Sequence, residues 1–199
     1  MSVNELCQFC FTTERQTCAC VIDKRHLATF AHGVHSNWLT LGTELTFWPV
    51  FCEQVMTFSV KVVYVNRRSD LILLESTNDL CTSDISLQNP DWGEEYYQLG
   101  LSANVDHFPK CFVNKGIIGS LQLSPALHVL GSPGACPGDS GAGCFKCSSD
   151  PAAHAKIIAI VVGNKSHEVN IHSPLDHLTY PSRSVLVPAS VILQALQVT

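Results

Sequence analysis

A chain of 199 residues with 46% hydrophobic and only 15% charged residues is long enough to bury a core without cross-links and too apolar for long disordered tails. Its formal net charge of -5 removes the basic footprint of a nucleic-acid binder, and nine histidines do not restore one at neutral pH. The opening "MSVNELCQFCFTTERQTC" has no basic segment followed by an apolar one, and no apolar run reaches membrane-spanning length. A soluble, cytoplasmic protein with neither nucleic acid nor membrane as partner is therefore expected.

Short runs with β character follow one another along the chain. The first half holds "CACVID" from Cys18, "HLATFAH" from His26, "TELTFWPVF" from Thr43, "FSVKVVYVN" from Phe58 and "DLILLE" from Asp70. The second holds "EYYQLGL" from Glu95, "KCFVNKGIIGSLQL" from Lys110, "GAGCFKC" from Gly141 and "KIIAIVVGN" from Lys156. Turn residues separate them at intervals of about ten, which reads as an all-β barrel or sandwich. The polar, turn-rich "STNDLCTSDISLQNPDWGEE" marks a connection around residues 79–91, so the chain divides into 1–85 and 86–199. One helix is predicted, in "VPASVILQALQ". There Ala189, Ile192, Leu193 and Leu196 form an apolar stripe, with Pro188 and Ser190 as start signals.

Chemistry concentrates in three places. In "SPGACPGDSGAGCF", Gly138, Asp139 and Ser140 form a glycine-flanked loop whose Gly138 and Ser140 amides can face one pocket, an arrangement suited to an oxyanion; the same pentapeptide is also good turn chemistry. In "RHLATFAHGV", His32 ends an apolar strand where it can face a cleft, with His26 and His35 as less well-placed neighbours. In "VNRRSDLILLE", Asp70 opens a fully apolar strand at the boundary between solvent and core. A serine nucleophile needs a base to take its proton and a carboxylate to orient that base, and these three residues supply the set.

The order His32, Asp70, Ser140, with the first two in one half and the serine in the other, resembles the chymotrypsin-like serine proteases. The resemblance implies two six-stranded antiparallel β-barrels with a C-terminal helix, and catalytic roles for His32, Asp70 and Ser140 with Gly138 and Ser140 as oxyanion donors. "CACVIDKRHLATFAH" looks like the hairpin leading to the family's histidine, "WGEEYYQLGLS" like the opening of the second barrel, and "IIAIVVGN" like the strand that borders the substrate. The implied activity is a serine endopeptidase acting through an acyl-enzyme on a protein or peptide, with no cofactor. An esterase using the same residues, or a catalytically silent module binding a partner peptide in the interbarrel groove, are the alternatives.

Several features set the chain apart from the family's digestive members. The Ile-Val-Gly-Gly segment whose freed amino group pairs with the aspartate before the serine has no counterpart, so Asp139 must be satisfied differently. Gly33 stands where the family has a cysteine, and no cysteine follows Cys147, so the family's characteristic partner for Cys136 is missing. The closer resemblance is to intracellular members, including the high-temperature-requirement proteases and the compact main proteases of positive-strand RNA viruses. Gly134, six residues before Ser140, matches the position at which trypsins carry an acid, and Val161 stands about where glutamine-specific viral proteases place a histidine. A small or apolar side chain before the cut bond is therefore expected, with Val162, Gly163 and Asn164 offering backbone pairing to an extended substrate. The ten cysteines include the spacings Cys7-x2-Cys10, Cys18-x-Cys20 and Cys144-x2-Cys147, which suit either tetrahedral zinc, with the two N-terminal pairs as ligands, or small buried hydrophobes.

Overall fold

The structure is a computed structural model that describes residues 3–33, 38–50, 56–102, 110–136, 138–147, 154–165 and 183–199. A short helix α1 (Val3–Leu6) and one 3-10 turn (Cys7–Phe9) lead into β1 (Cys10–Thr12), β2 (Ala19–Val21), β3 (His26–Phe30), β4 (Glu44–Pro49), β5 (Phe58–Asn66) and β6 (Leu71–Ser76). These six close an antiparallel barrel in the order β1-β2-β3-β6-β5-β4. Closure leaves no open edge, and strands crowded on both faces need not alternate. Leu71, Ile72, Leu73 and Leu74 are accordingly all buried.

The second half contributes β7 (Ile85–Leu87), β8 (Glu95–Ser102), β9 (Lys110–Ser120), β10 (Val129–Ser132), β11 (Gly143–Lys146), β12 (Ala155–Lys165) and β13 (Arg183–Pro188). Strands β8 to β13 close a second six-stranded barrel, because β11 pairs with β8 on one side and β12 on the other. β7 adds to β12 in parallel, with Ile85 opposite Ala155. The connection expected to be irregular thus holds a short strand, because Ile85 and Leu87 alternate with polar Ser86 and pack against the core.

β12 joins the two halves. Ile157, Ile160 and Val162 enter the larger cluster shared with the first barrel, while Ile158, Ala159 and Val161 enter a second cluster around Tyr96 that also takes in Cys10 and Cys18. The final helix α2 (Ala189–Leu196) starts after Pro188 and buries Ala189, Val191, Ile192 and Ala195. Leu193, expected on the buried stripe, is 41% exposed. The docked face runs through Val191 and Ala195, which leaves Leu193 on the far side, and Ser190 lies inside the helix without a capping role. Among the described residues no helix is long and apolar enough to cross a membrane.

Candidate active site

The site is assembled by strand register. β3 and β6 pair antiparallel with Phe30 opposite Leu71, so the next residues, Ala31 and Asp70, also face each other. Asp70 Oδ1 accepts the Ala31 N–H at 2.8 Å, and its Oδ2 meets His32 Nδ1 at 2.5 Å. Asp70 has φ +57°, a left-handed conformation that aspartate tolerates better than most residues. The turn before it is organised by Asn66, whose Oδ1 accepts the Arg68 and Ser69 amides at 3.0 and 3.1 Å. The same turn is tied to the second barrel: Arg68 Nε donates to the Pro125 carbonyl at 2.6 Å, and His128 Nε2 to the Ser69 carbonyl at 3.0 Å.

His32 lies against the Phe30 ring, centroids 4.5 Å apart, and its Nε2 faces Ser140 Oγ at 3.5 Å. That separation is long, as unloaded sites often are. The structure therefore brings His32, Asp70 and Ser140 together across the two barrels. His26 is at the other end of β3, where Asp23 Oδ2 holds its Nδ1 at 2.8 Å and raises its pKa against the lowering effect of burial. Asp23 Oδ1 also takes the Arg25 and His26 amides, so this second histidine and its carboxylate belong to a turn. His35 lies outside the described residues.

The serine loop is shaped by its glycines. Gly138 has φ +99°, and the Asp139 N–H donates to the Cys136 carbonyl at 3.0 Å, closing a turn in which glycine occupies the position that demands positive φ. Among the described residues, neither the Gly138 nor the Ser140 amide is used in a hydrogen bond. Gly141, at φ +91°, seats directly against the Cys18 carbonyl of the first barrel, where any Cβ would collide. Thr29 Oγ1 donates to that same carbonyl at 2.8 Å, and the Gly141 N–H goes to the Val161 carbonyl at 2.8 Å. Barrel contact and serine position are thus set together.

Asp139 is buried, 2% exposed. Its Oδ2 accepts from Gln98 Nε2 at 2.7 Å and from the Cys136 N–H at 2.6 Å. Burial raises its pKa, and these two donors only partly counter that. Oδ1 lies where a side chain at Gly100 would be. Gln98 and Gly100, with Arg68 and His128, are contributors that the motif reading missed.

The residues expected to meet a substrate occupy two settings. Val161 and Val162 are buried in the core, and the Val161 N–H is bonded to the Ala142 carbonyl at 2.9 Å. Gly163 and Asn164 pair with Val185 and Ser184 of β13. β11 ends its pairing with β12 at Ile160, so among the described residues β12 beyond Val161 is paired on one side only, and nothing lies within 4 Å of a Cβ built on Gly163. Gly134 is half-buried after the Ser132–Pro133 step. A separate cleft of about 360 Å³ between Arg15, Trp38 and Trp48 lies on the first barrel.

The thiols group differently from their spacing. Cys7 Sγ meets Cys111 Sγ at 3.6 Å and Cys10 Sγ meets Cys18 Sγ at 3.7 Å, whereas Cys20 turns to the Val21 carbonyl. Among the described residues no three histidine, cysteine, aspartate or glutamate side chains are grouped to hold a metal ion, and Cys52 is not one of them. Among the described residues the two N-terminal cysteine pairs are thus not grouped as a ligand set, which was one of the two readings their spacing left open. Burial pushes the Cys7 thiol up to about 12, with Cys111 adding to it, and burial also raises Cys20 and Cys144. These are buried thiols, not activated ones.

No protein-family model matches the chain, and no curated protein matches it in sequence. Solved structures do match. The protease domain of MamO from Magnetospirillum magneticum, in its apo form, gives a TM-score of 0.58 at 16% identity over 89% of this chain and 86% of that one. Rv3671c from M. tuberculosis H37Rv, as the inactive form of a serine-to-alanine mutant, gives 0.64 at 13% identity over 98% and 88%. The Rv3671c protease in an inactive form gives 0.62 at 13% identity over 98% and 90%. The chain has the fold of a chymotrypsin-like protease. At these identities the likeness is one of fold. Within that protease fold, the cleft between the barrels is where His32, Asp70 and Ser140 meet.

Proposed function

We propose that this chain is a serine endopeptidase with His32, Asp70 and Ser140 as its triad and the Gly138 and Ser140 amides as its oxyanion donors. The observation that carries the reading is the bridging imidazole: Nδ1 bonded to Asp70 and Nε2 facing Ser140 Oγ, beside two amides that bond to nothing among the described residues. Asp70 fixes the tautomer with the proton on Nδ1, which leaves Nε2 to accept. Ser140 Oγ then attacks a substrate carbonyl while its proton passes to His32 Nε2. The oxyanion takes the two amide donors, and the carbon–nitrogen bond breaks as His32 returns the proton to the leaving amine. Water repeats the sequence on the acyl-enzyme, releasing the acid and restoring Ser140.

The substrate is a protein or peptide lying in extended form along β12, whose side from Val162 to Asn164, unpaired among the described residues, suits strand addition. Gly134 and Gly163 bring neither side chain nor charge, which favours a small or apolar side chain before the cut bond. We also propose division of the chain at 85/86 and a cytoplasmic setting.

The test is labelling with a fluorophosphonate, in which Oγ bonds to phosphorus, fluoride leaves and the proton goes to His32. One adduct by intact mass, absent from Ser140→Ala and His32→Ala, is expected. An unlabelled, folded wild-type protein would overturn the reading in favour of a peptide-binding module.

A further inference from the structure

The carboxylate beside the serine is buried in the second barrel and accepts two hydrogen bonds there. Asp139 directs its side chain inward, away from Ser140, and the loop wraps around it. The Cys136 N–H reaches Oδ2, the Asp139 N–H reaches the Cys136 carbonyl, and the Ala142 N–H reaches the Asp139 carbonyl at 2.9 Å. The Gly138 carbonyl accepts the Leu101 N–H at 3.4 Å, tying the loop to β8 a second time. A buried carboxylate needs donors or a cation. Among the described residues no cationic side chain bonds to it, and the one side-chain donor is Gln98.

Gln98 is itself 3% exposed and sits on a strand paired on both sides, opposite Asn114 of β9 and Cys144 of β11. Its amide is therefore delivered by a fixed backbone. Two residues further along β8, on the same face, Gly100 makes the space that Asp139 Oδ1 occupies. A donor and a hole at positions i and i+2 of one strand make a receptacle shaped for this side chain.

We propose that Gln98 is a positioning residue: its amide holds Asp139 inward and so keeps the Gly138 and Ser140 amides turned toward the place of an oxyanion, an order that folding alone supplies without a newly freed amino terminus. This deepens the serine-peptidase reading and rests on it for its consequence in catalysis, although the order of the loop is observable without any catalysis. If the inward pull is lost, the carboxylate seeks solvent, and the turn that it anchors goes with it.

The experiment compares wild type with Gln98→Leu, with the shape-matched Gln98→Glu, and with the exchange Gln98→Glu/Asp139→Asn. In the exchange the amide and carboxylate trade places, so the same hydrogen bond can form with the donor reversed. Fluorophosphonate labelling rates are read across pH, and hydrogen exchange by mass spectrometry is read over residues 136–142. Both single variants are expected to label about 10- to 100-fold more slowly at neutral pH, the scale of a misplaced reacting group. Their rate relative to wild type recovers as pH falls. In Gln98→Glu two facing carboxyls then share a proton, and in Gln98→Leu the unpaired carboxyl is neutralised. The Cys144 thiol, which feels Asp139, stays protonated throughout this range because burial raises it.

Exchange over 136–142 should quicken in both single variants while β12 stays protected, and the exchange variant should regain both labelling and protection. Wild-type labelling and protection in Gln98→Leu would overturn the proposal, as would singles whose loss tracks general unfolding and is not restored by the exchange variant. If wild type takes no label, the serine-peptidase reading fails. Loop protection alone then decides for or against Gln98.

Discussion

Two aspartates flank the site and are used in opposite ways. Asp70 sits at the edge of the first barrel with its side chain 20% exposed, bonded to an imidazole and one amide. Asp139 is sealed in the second barrel, bonded to a neutral amide side chain and one backbone N–H. The first carboxylate is placed to hold an imidazole at the cleft, and the second lies within the turn of the serine loop. A carboxylate's task is thus set by what it is bonded to and how wet it is, not by its distance from the serine in sequence.

The largest effect expected from breaking this contrast is at Asp70. Asp70→Asn removes the acceptor that fixes the His32 tautomer and should slow fluorophosphonate labelling by about 10⁴-fold with little change in melting temperature. A labelling rate near wild type would leave the two aspartates undistinguished. Gly141→Ala acts on the other side of the contrast: a Cβ at φ +91° aimed at the Cys18 carbonyl should cost about 2–4 kcal/mol in denaturant unfolding.

Asp139→Asn sharpens the difference through pH. The folded chain holds the Asp139 proton more tightly than the unfolded chain does. That contribution is full below the ordinary carboxyl pKa of 3.8 and fades as pH rises through the higher folded value. The asparagine variant has no such loss, so its melting temperature relative to wild type should increase from about pH 4 to about pH 7. A difference independent of pH would mean that Asp139 is not the desolvated group described. The smallest effect expected is for His128→Ala, which deletes one tie between the Asp70 turn and the second barrel. A loss of about 1 kcal/mol is expected by thermal unfolding, with a labelling deficit smaller than that of Gln98→Leu.

The meeting of His32, Asp70 and Ser140 was legible because each sits beside a local cue: a strand end at His32, an apolar run after Asp70, glycines around Ser140. Barrel architecture was legible from the spacing of the strands. Gln98 was not, since a polar residue in "EYYQLGL" reads as a solvent-facing position until its neighbours are known. The available signal was its i+2 relation to Tyr96, which puts it on a buried face where an amide must find a partner. The cysteine contacts were illegible for a different reason: Cys7 meets Cys111 across 104 residues, and no local spacing encodes that. Leu193 failed because periodicity fixes a stripe but not which flank of it docks.

On the proposed peptidase reading, the end of β12, paired on one side only among the described residues, bears on which proteins are substrates. An edge of this kind grips a partner by its main chain, and every polypeptide has the same main chain. Gly163 adds room there and no side chain of its own. Recognition built this way sorts candidates first by whether several consecutive residues have amides and carbonyls to spare. A tightly folded target, whose backbone groups are already spoken for, is passed over until some stretch of it comes loose.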